Sequence, residues 1–112
     1  MVARRRRDEL SPEALGMVAS RFRLLGEPNR LLLLMSLQEG EKTVSELAEA
    51  VGCTQANVSR HLRSLTDAGI LGRRKDGLHA YYHIVDPSIF ALCDLVCGSL
   101  QKRLSARAKI FD

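Results

Sequence analysis

The fold of this chain is decided by residues 43–65, which read TVSELAEAVGCTQANVSRHLRSL. Thr43 and Glu46 have the three-residue spacing of a capping box, so a short helix is predicted to begin here. Gly52 can end this helix, because glycine adopts the left-handed backbone conformation that closes many helices. Apolar residues at helical spacing give the helix a buried face: Val44, Leu47, Ala48 and Val51. A tight turn must follow.

A second helix of this stretch begins at Thr54, whose hydroxyl can cap it. Its apolar residues recur on one side at helical spacing: Val58, Leu62 and Leu65. Its polar and cationic residues are expected on the outer side: Gln55, Asn57, Arg60, His61, Arg63 and Ser64. The major groove of DNA admits such a helix, in which amide side chains bond adenine and arginine bonds guanine. The pair of helices therefore predicts a helix-turn-helix whose second helix reads duplex DNA.

Two further helices are predicted upstream of this motif. The first begins at Ser11, which can cap it and is followed by a proline and an acid, and it ends at Gly26. Its apolar stripe has helical spacing: Leu15, Val18, Phe22 and Leu25. The second begins at Pro28 and is so continuously apolar over residues 31–37 that we expect it to lie inside the domain.

After Gly69 the apolar residues no longer recur at helical spacing. Residues 70–74 and 78–85 are β-prone runs joined through residues 75–77, where Asp-Gly is a hairpin signal, so a β-hairpin wing is predicted. A last helix follows from Pro87, and its first half is apolar nearly all round, so that a second subunit is needed to cover it. The predicted fold is mainly α with a small β-hairpin wing: four helices, two strands and a last helix.

Composition favours a DNA-binding protein of the cytoplasm. The chain has 112 residues and a formal net charge of +4, with basic runs at residues 4–7 and 73–75, so polyanions are expected partners. No apolar run approaches the roughly 18 residues of a membrane span. Three cysteines fit no paired disulfide framework, which favours free thiols in a reducing compartment. We expect residues 1–10 to form a flexible basic arm and residues 11–112 to form one domain for DNA binding and dimerisation.

Residues 47–62, which contain the pattern Thr-Gln-x-x-Val-Ser-x-His-Leu, resemble the ArsR/SmtB family of metal- and stress-responsive repressors. Residues 68–71, 77–82 and 26–31 are also similar to that family, and the resemblance covers about residues 15–100. It implies a winged helix-turn-helix homodimer joined through its first and last helices. Such a dimer binds double-stranded DNA at an inverted-repeat operator and is released when an effector binds.

The resemblance also implies which residues meet the DNA. Carried over by position, five residues would face the major groove: Thr54, Gln55, Asn57, Ser59 and His61. Positive charge adds four residues that would hold phosphates: Arg60, Arg63, Arg73 and Lys75. We expect the groove contacts to give sequence discrimination and the phosphate contacts to give affinity.

The metal sites of the resembled family do not carry over to this chain. The cysteine pair of the family's arsenic and cadmium sensors would fall within residues 47–51, which contain no cysteine. The Asp-x-His and His-x-x-His ligands of its zinc sensors are missing from the last helix, where Pro87, Gly98 and Gln101 lie instead. An effector of this chain must therefore act at other residues.

Cys93 and Cys97 are the remaining candidates for an effector site. Their i, i+4 spacing puts both thiols on one side of the last helix. There they could share a metal or metalloid such as Zn(II), Cd(II) or As(III) with a third ligand, or react with an oxidant or a persulfide. Alternatively, both are small apolar residues that pack in a helix interface, and the regulator has no cysteine-based effector. Cys53, in the turn, is expected to face the core.

A small thiol oxidoreductase is the remote alternative from another class. Such enzymes separate two cysteines by two residues at the start of a helix, where the helix dipole lowers the thiol pKa. In this chain three residues separate Cys93 from Cys97, in the middle of a predicted helix. The sequence therefore predicts a regulator and not an enzyme.

Overall fold

The computed structural model describes residues 10–105, which contain five helices and three short strands. The helices are α1 Pro12–Leu25, α2 Pro28–Leu37, α3 Val44–Val51, α4 Gln55–Asp67 and α5 Ser88–Leu104. The strands are β1 Lys42–Thr43, β2 Leu71–Asp76 and β3 His79–Ile84. This order confirms the predicted winged helix-turn-helix. The predicted arm lies outside the described residues except for Leu10, and no helix of the described part is long and apolar enough to cross a membrane.

The helix-turn-helix forms where the capping residues predict it. The hydroxyl of Thr43 accepts a hydrogen bond from the amide of Glu46 at 3.2 Å, and the Glu46 carboxylate accepts one from the amide of Thr43 at 2.9 Å. Gly52 ends α3 with a left-handed φ of 70°. The hydroxyl of Thr54 accepts from the amide of Asn57 in the first turn of α4. The turn between α3 and α4 is therefore held by its own capping groups.

The wing is a three-stranded antiparallel sheet in the order β1-β3-β2. The predicted hairpin, β2 and β3, is present, and β1 extends it; a strand of two residues is too short to give a period-2 signal in the sequence. The turn lies further along than predicted, because Asp76 still pairs with His79 and the turn residues are Gly77 and Leu78. Gly77 has the positive φ of 62° that a tight hairpin needs.

The interior is built from α2 and the inner faces of α3 and α4. The prediction that α2 lies inside is confirmed by the buried side chains of Leu33, Leu34 and Leu37. The predicted inner stripe of α4 is also buried: Val58, Leu62 and Leu65. Burial of each leucine contributes on the order of 1.5–3 kcal/mol. These contacts fix which side of α4 faces outward.

The two terminal helices of the described part leave apolar side chains at the surface. Leu25 is the buried residue of α1, and Ile89 is the buried residue of α5. The exposed large apolar residues of these two helices are Leu15, Met17, Val18, Phe22, Leu95, Val96 and Leu100. The last helix therefore has more apolar surface than its own chain covers, as predicted, and a surface of this kind marks an interaction site.

Candidate nucleic-acid interface

The outer face of α4 carries exposed side chains that can bond DNA. Because the inner stripe packs in the core, the opposite side of the helix points outward. The exposed residues predicted to contact DNA from α4 and its cap are Thr54, Gln55, Asn57, Ser59, Arg60 and Arg63. Gln55 is the first residue of the helix. The structure thus brings these polar and cationic groups together on one surface.

Two side chains of this surface bond each other. Arg60 Nη2 donates to Asn57 Oδ1 at 2.8 Å. The amide of Asn57 keeps two N–H donors for an external partner, since only its oxygen is engaged. Thr54 likewise uses its oxygen as a helix cap and keeps its hydroxyl proton. The internal hydrogen bonds of this surface therefore fix side chains without removing their capacity to bond DNA.

His61 does not face outward, so its predicted role in the groove is wrong. Its residue is only 7% exposed, beside Leu62 in the buried part of α4. Its Nδ1 accepts from Arg30 Nε at 3.1 Å, and its Nε2 lies 3.6 Å from a carboxylate oxygen of Glu27. Burial is the main reason that the pKa of His61 is lowered, so the imidazole is neutral at pH 7. Its place three residues after Val58, on the inner stripe, is the sequence signal for this burial.

Arg30 joins α4 to α1 and α2, and sequence reasoning missed this link. Besides its bond to His61, its Nη1 donates to the main-chain oxygen of Leu24 at 3.0 Å. Its own amide is capped by the Glu27 carboxylate at the start of α2. One guanidinium therefore links the end of α1 and the start of α2 to the middle of α4. Nothing in the sequence pairs residues that lie 31 positions apart.

Arg21 makes a second link between the terminal helices and α4. Its Nη2 donates to the main-chain oxygen of Ala68, the C-cap of α4, at 2.9 Å. Its Nη1 lies 3.5 Å from a carboxylate oxygen of Asp86, just before α5. This one side chain therefore links α1 to the C-cap of α4 and to the residue that lies just before α5.

The basic residues of the wing divide between two faces of the sheet. Arg74 is exposed but is held by contacts within the chain, since it donates to both carboxylate oxygens of Glu41, at 2.6 and 3.2 Å, and lies 4.7 Å from the ring centre of Tyr81. This hydrogen-bonded pairing lowers the pKa of Glu41 and raises that of Arg74. Arg73 and Lys75 alternate with Arg74 along the strand, so they lie on the opposite face, and both are exposed. Arg74 therefore braces the wing, while its two neighbours remain available for DNA.

A cleft of about 450 Å³ separates α4 from the wing. Its lining contains Ser59 and Arg63 from the outer face of α4 and Arg73 from β2. Three further residues complete it: Thr66, Asp67 and Tyr82. The cleft thus brings together two of the predicted phosphate-holding arginines, one from each of the two elements that would straddle a DNA backbone.

Cys93 and Cys97 lie together in an apolar groove of about 390 Å³ between α1 and α5. The other lining residues are Phe22, Leu25, Gly26, Leu31, Leu92, Val96 and Leu100. Both thiols are free, and burial, followed by the charges of Cys97 and Asp94, raises the pKa of Cys93. No cluster of three or more His, Cys, Asp or Glu side chains suited to a metal occurs within residues 10–105. Cys53 packs against the core, as predicted.

An exposed polar helix beside a basic wing is the surface of a winged helix-turn-helix DNA-binding domain. Residues 27–72 match a family model described as "Bacterial regulatory protein, arsR family". The HTH-type transcriptional regulator NmtR of Mycobacterium tuberculosis is 35% identical over 85 residues, which are 76% of this chain and 71% of NmtR. The chain belongs to the ArsR family, and it is a DNA-binding transcriptional regulator.

Two further proteins are similar to this chain. A Streptomyces lividans protein named "Probable mercury resistance operon repressor" is 41% identical over 68 residues, or 61% of this chain. The chain spans only 54% of that relative's length. The homodimeric winged helix-turn-helix domain of Mb0332 from Mycobacterium bovis has a TM-score of 0.73 at 27% identity, covering 96% of this chain and 97% of that one.

Proposed function

We propose that this regulator is a homodimeric repressor of an inverted-repeat operator in double-stranded DNA. The observation that carries this proposal is the exposed polar face of α4 beside the wing. The residues proposed to read the groove are Thr54, Gln55, Asn57 and Ser59. The residues proposed to hold phosphates are Arg60, Arg63, Arg73 and Lys75. His61 is not among the residues proposed to contact the groove, because its imidazole is buried.

Gln55 is the strongest candidate for base discrimination. Recognition helices contact base edges with their N-terminal residues, and Gln55 is the exposed first residue of α4. Its amide has both a donor and an acceptor, which suits a bidentate contact with adenine worth about 1–3 kcal/mol of discrimination. The basic wing would meanwhile follow the backbone, where charge gives affinity without sequence information.

The homodimer is proposed to form through the exposed apolar faces of α1 and α5. Phe22 is 55% exposed, Leu95 is 73% exposed and Leu100 is 41% exposed in the single chain. A second copy would remove these side chains from water, and the homodimeric Mb0332 domain supports this assembly. Two-fold symmetry would place two α4 helices in successive major grooves, so the operator would be an inverted repeat.

We propose further that a thiol-reactive effector acts at Cys93 and Cys97. Both thiols line a groove between the two helices of the proposed dimer interface, so a bound ion would change helix packing there. The raised pKa of Cys93 keeps its thiol protonated at neutral pH, which slows oxidants that need a thiolate. A soft metal or metalloid ion that displaces the proton of Cys93 should bind more tightly as pH rises, and an oxidant or a persulfide that reacts with these thiols is the alternative effector.

The reading role is tested by titrating labelled operator and random duplexes against two variants. Gln55→Ala should lower affinity for the operator and leave affinity for the random duplex unchanged, because only base readout is lost. Arg73→Ala should weaken binding to both duplexes and reduce the salt dependence. Gln38→Ala, an exposed glutamine at the far end of α2, is the matched control and should bind as wild type. Equal losses on both duplexes for Gln55→Ala would overturn the assignment.

The effector role is tested by three matched cysteine variants. Operator complexes of wild type, Cys93→Ser, Cys97→Ser and Cys53→Ser are titrated with Hg(II), Cd(II), As(III), a persulfide and a disulfide oxidant. Release of DNA should be lost in the two α5 variants and kept in Cys53→Ser, whose side chain packs against the core. Release that persists in both α5 variants would leave Cys93 and Cys97 as packing residues.

A further inference from the structure

Arg63 of α4 and Arg73 of β2 line the same cleft. Arg63 lies one helical turn after Ser59 on α4, so both face the same side. Arg73 stands directly opposite Tyr82 across the β2–β3 pairing, so these two side chains share one face of the sheet. All four residues line the cleft between the helix and the wing.

The two arginines of the cleft differ from their neighbours in having no internal partner. Arg60 donates to Asn57, and Arg74 is held by Glu41. Within residues 10–105, neither Arg63 nor Arg73 makes a side-chain hydrogen bond or an ion pair, and the lining carboxylate of Asp67 does not reach them. Two unneutralised guanidinium groups that face one space favour an anion between them.

The lining also offers hydroxyl groups to an acceptor. Ser59 and Tyr82 contribute one each. Thr66 Oγ1 is the one buried side-chain oxygen or nitrogen in the described part of the chain that has no hydrogen-bond partner. This hydroxyl is closed to solvent, so the donors of the lining are the two guanidinium groups and the hydroxyls of Ser59 and Tyr82. Donors thus outnumber acceptors around the cleft, as an acceptor-only group requires.

We infer that this cleft seats a single phosphate of the DNA backbone, clamped by Arg63 from the reading helix and by Arg73 from the wing. A phosphodiester has one negative charge and two free oxygens, which match guanidinium donors. This inference rests on the proposed operator binding and adds that the two arginines share one group. Because one phosphate touches both elements, it sets how deeply α4 enters the groove relative to the wing.

The salt dependence of the binding constant reports how many phosphates the protein neutralises, so it tests whether Arg63 and Arg73 share one phosphate. Each phosphate contributes about 0.9 to the slope of log K against log salt for duplex DNA. Since both arginines are needed to hold the phosphate, Arg73→Ala alone should already reduce the slope by about 0.9, and Arg63→Ala/Arg73→Ala should reduce it no further, against about 1.8 for this double variant if two phosphates were held separately. Arg73→Ala/Lys75→Ala is the matched pair, because Lys75 does not line the cleft, and it should show the larger reduction.

A second measurement uses the intact protein on altered DNA. Neutral methylphosphonate is placed at each operator phosphate in turn, and affinity is measured with wild type, Arg63→Ala and Arg73→Ala. At one position the methylphosphonate should weaken wild-type binding, and on that duplex neither Arg63→Ala nor Arg73→Ala should lower the affinity any further. The shared phosphate would be overturned if the two substitutions lost their effect at two different methylphosphonate positions. A slope reduction of about 1.8 in Arg63→Ala/Arg73→Ala would overturn it as well. Either result would leave operator binding intact. Absence of any operator preference in wild type would overturn the proposed function as well.

Discussion

Replacing Arg30 with methionine should destabilise the fold, because it removes the guanidinium and keeps an unbranched apolar stem. Two acceptors lose their donor: Nδ1 of His61 at 3.1 Å and the main-chain oxygen of Leu24 at 3.0 Å. The His61 side chain is only 9% exposed, so water cannot replace the lost bond. An unsatisfied buried acceptor costs about 1–3 kcal/mol, and we expect Arg30→Met to lower the free energy of unfolding by about that amount.

The contribution of the Arg30–His61 bond is isolated by a double-mutant cycle. His61→Leu removes the acceptor, and Arg30→Met/His61→Leu replaces both partners with apolar groups. The double variant should therefore lose less stability than the sum of the single losses, with a coupling of about 0.5–3 kcal/mol. Arg23→Met is the control, since Arg23 is exposed and, within residues 10–105, its side chain bonds only Ser20; we expect it to stay within about 0.5 kcal/mol of wild type.

Urea unfolding at pH 7.5 and one fixed protein concentration measures these differences, because the stability of a dimer depends on concentration. Changes in the midpoint at constant m-value report stability. Losses that simply add in the double variant, or an Arg30→Met variant as stable as Arg23→Met, would refute the account of this bond.

Three further predictions concern pH, assembly and the wing. The pKa of His61 is lowered in the folded chain, so the unfolded chain binds the proton first; stability should fall as pH drops below about 6.5, and His61→Gln should flatten this part of the pH profile of urea unfolding. An unchanged profile in the variant would contradict that origin. Leu100→Glu should convert the dimer to monomer in sedimentation, whereas Leu78→Glu, at the fully exposed wing tip, should not; dimers in both would exclude the α5 interface. Glu41→Gln should weaken operator binding slightly, since the carboxylate that holds Arg74 and the wing is lost from an exposed ion pair; affinity equal to wild type in anisotropy would show that the brace is dispensable.

Local chemistry explains why much of the fold could be predicted. The capping box of Thr43 and Glu46 and the glycine at residue 52 fix α3 within a few residues, and no distant partner is needed. The i, i+4 spacing likewise placed Cys93 and Cys97 in one groove. Such features depend on neighbours in the chain, so the sequence displays them directly.

Features that depend on distant residues could not be predicted in the same way. His61 was assigned to the outer face by its polarity, although its position belongs to the inner stripe and its partner, Arg30, lies 31 residues away. The meeting of Arg63 with Arg73 depends on how the wing folds back beside α4. Strand β1 became visible only through its pairing with β3. Tertiary packing decides each of these features, and the sequence shows neither the distant partner of a buried polar residue nor the approach of two distant elements.

The most direct test of sequence-specific DNA reading by this regulator is one anisotropy titration. Reduced wild-type protein is added to a labelled duplex from upstream of its own gene and, separately, to a scrambled duplex of equal length, at one physiological salt concentration. The upstream duplex should bind at least about 10³-fold more tightly, as specific operators do. Equal affinities that fall together as salt rises would contradict base readout by α4 and leave only the attraction of a basic surface for phosphate.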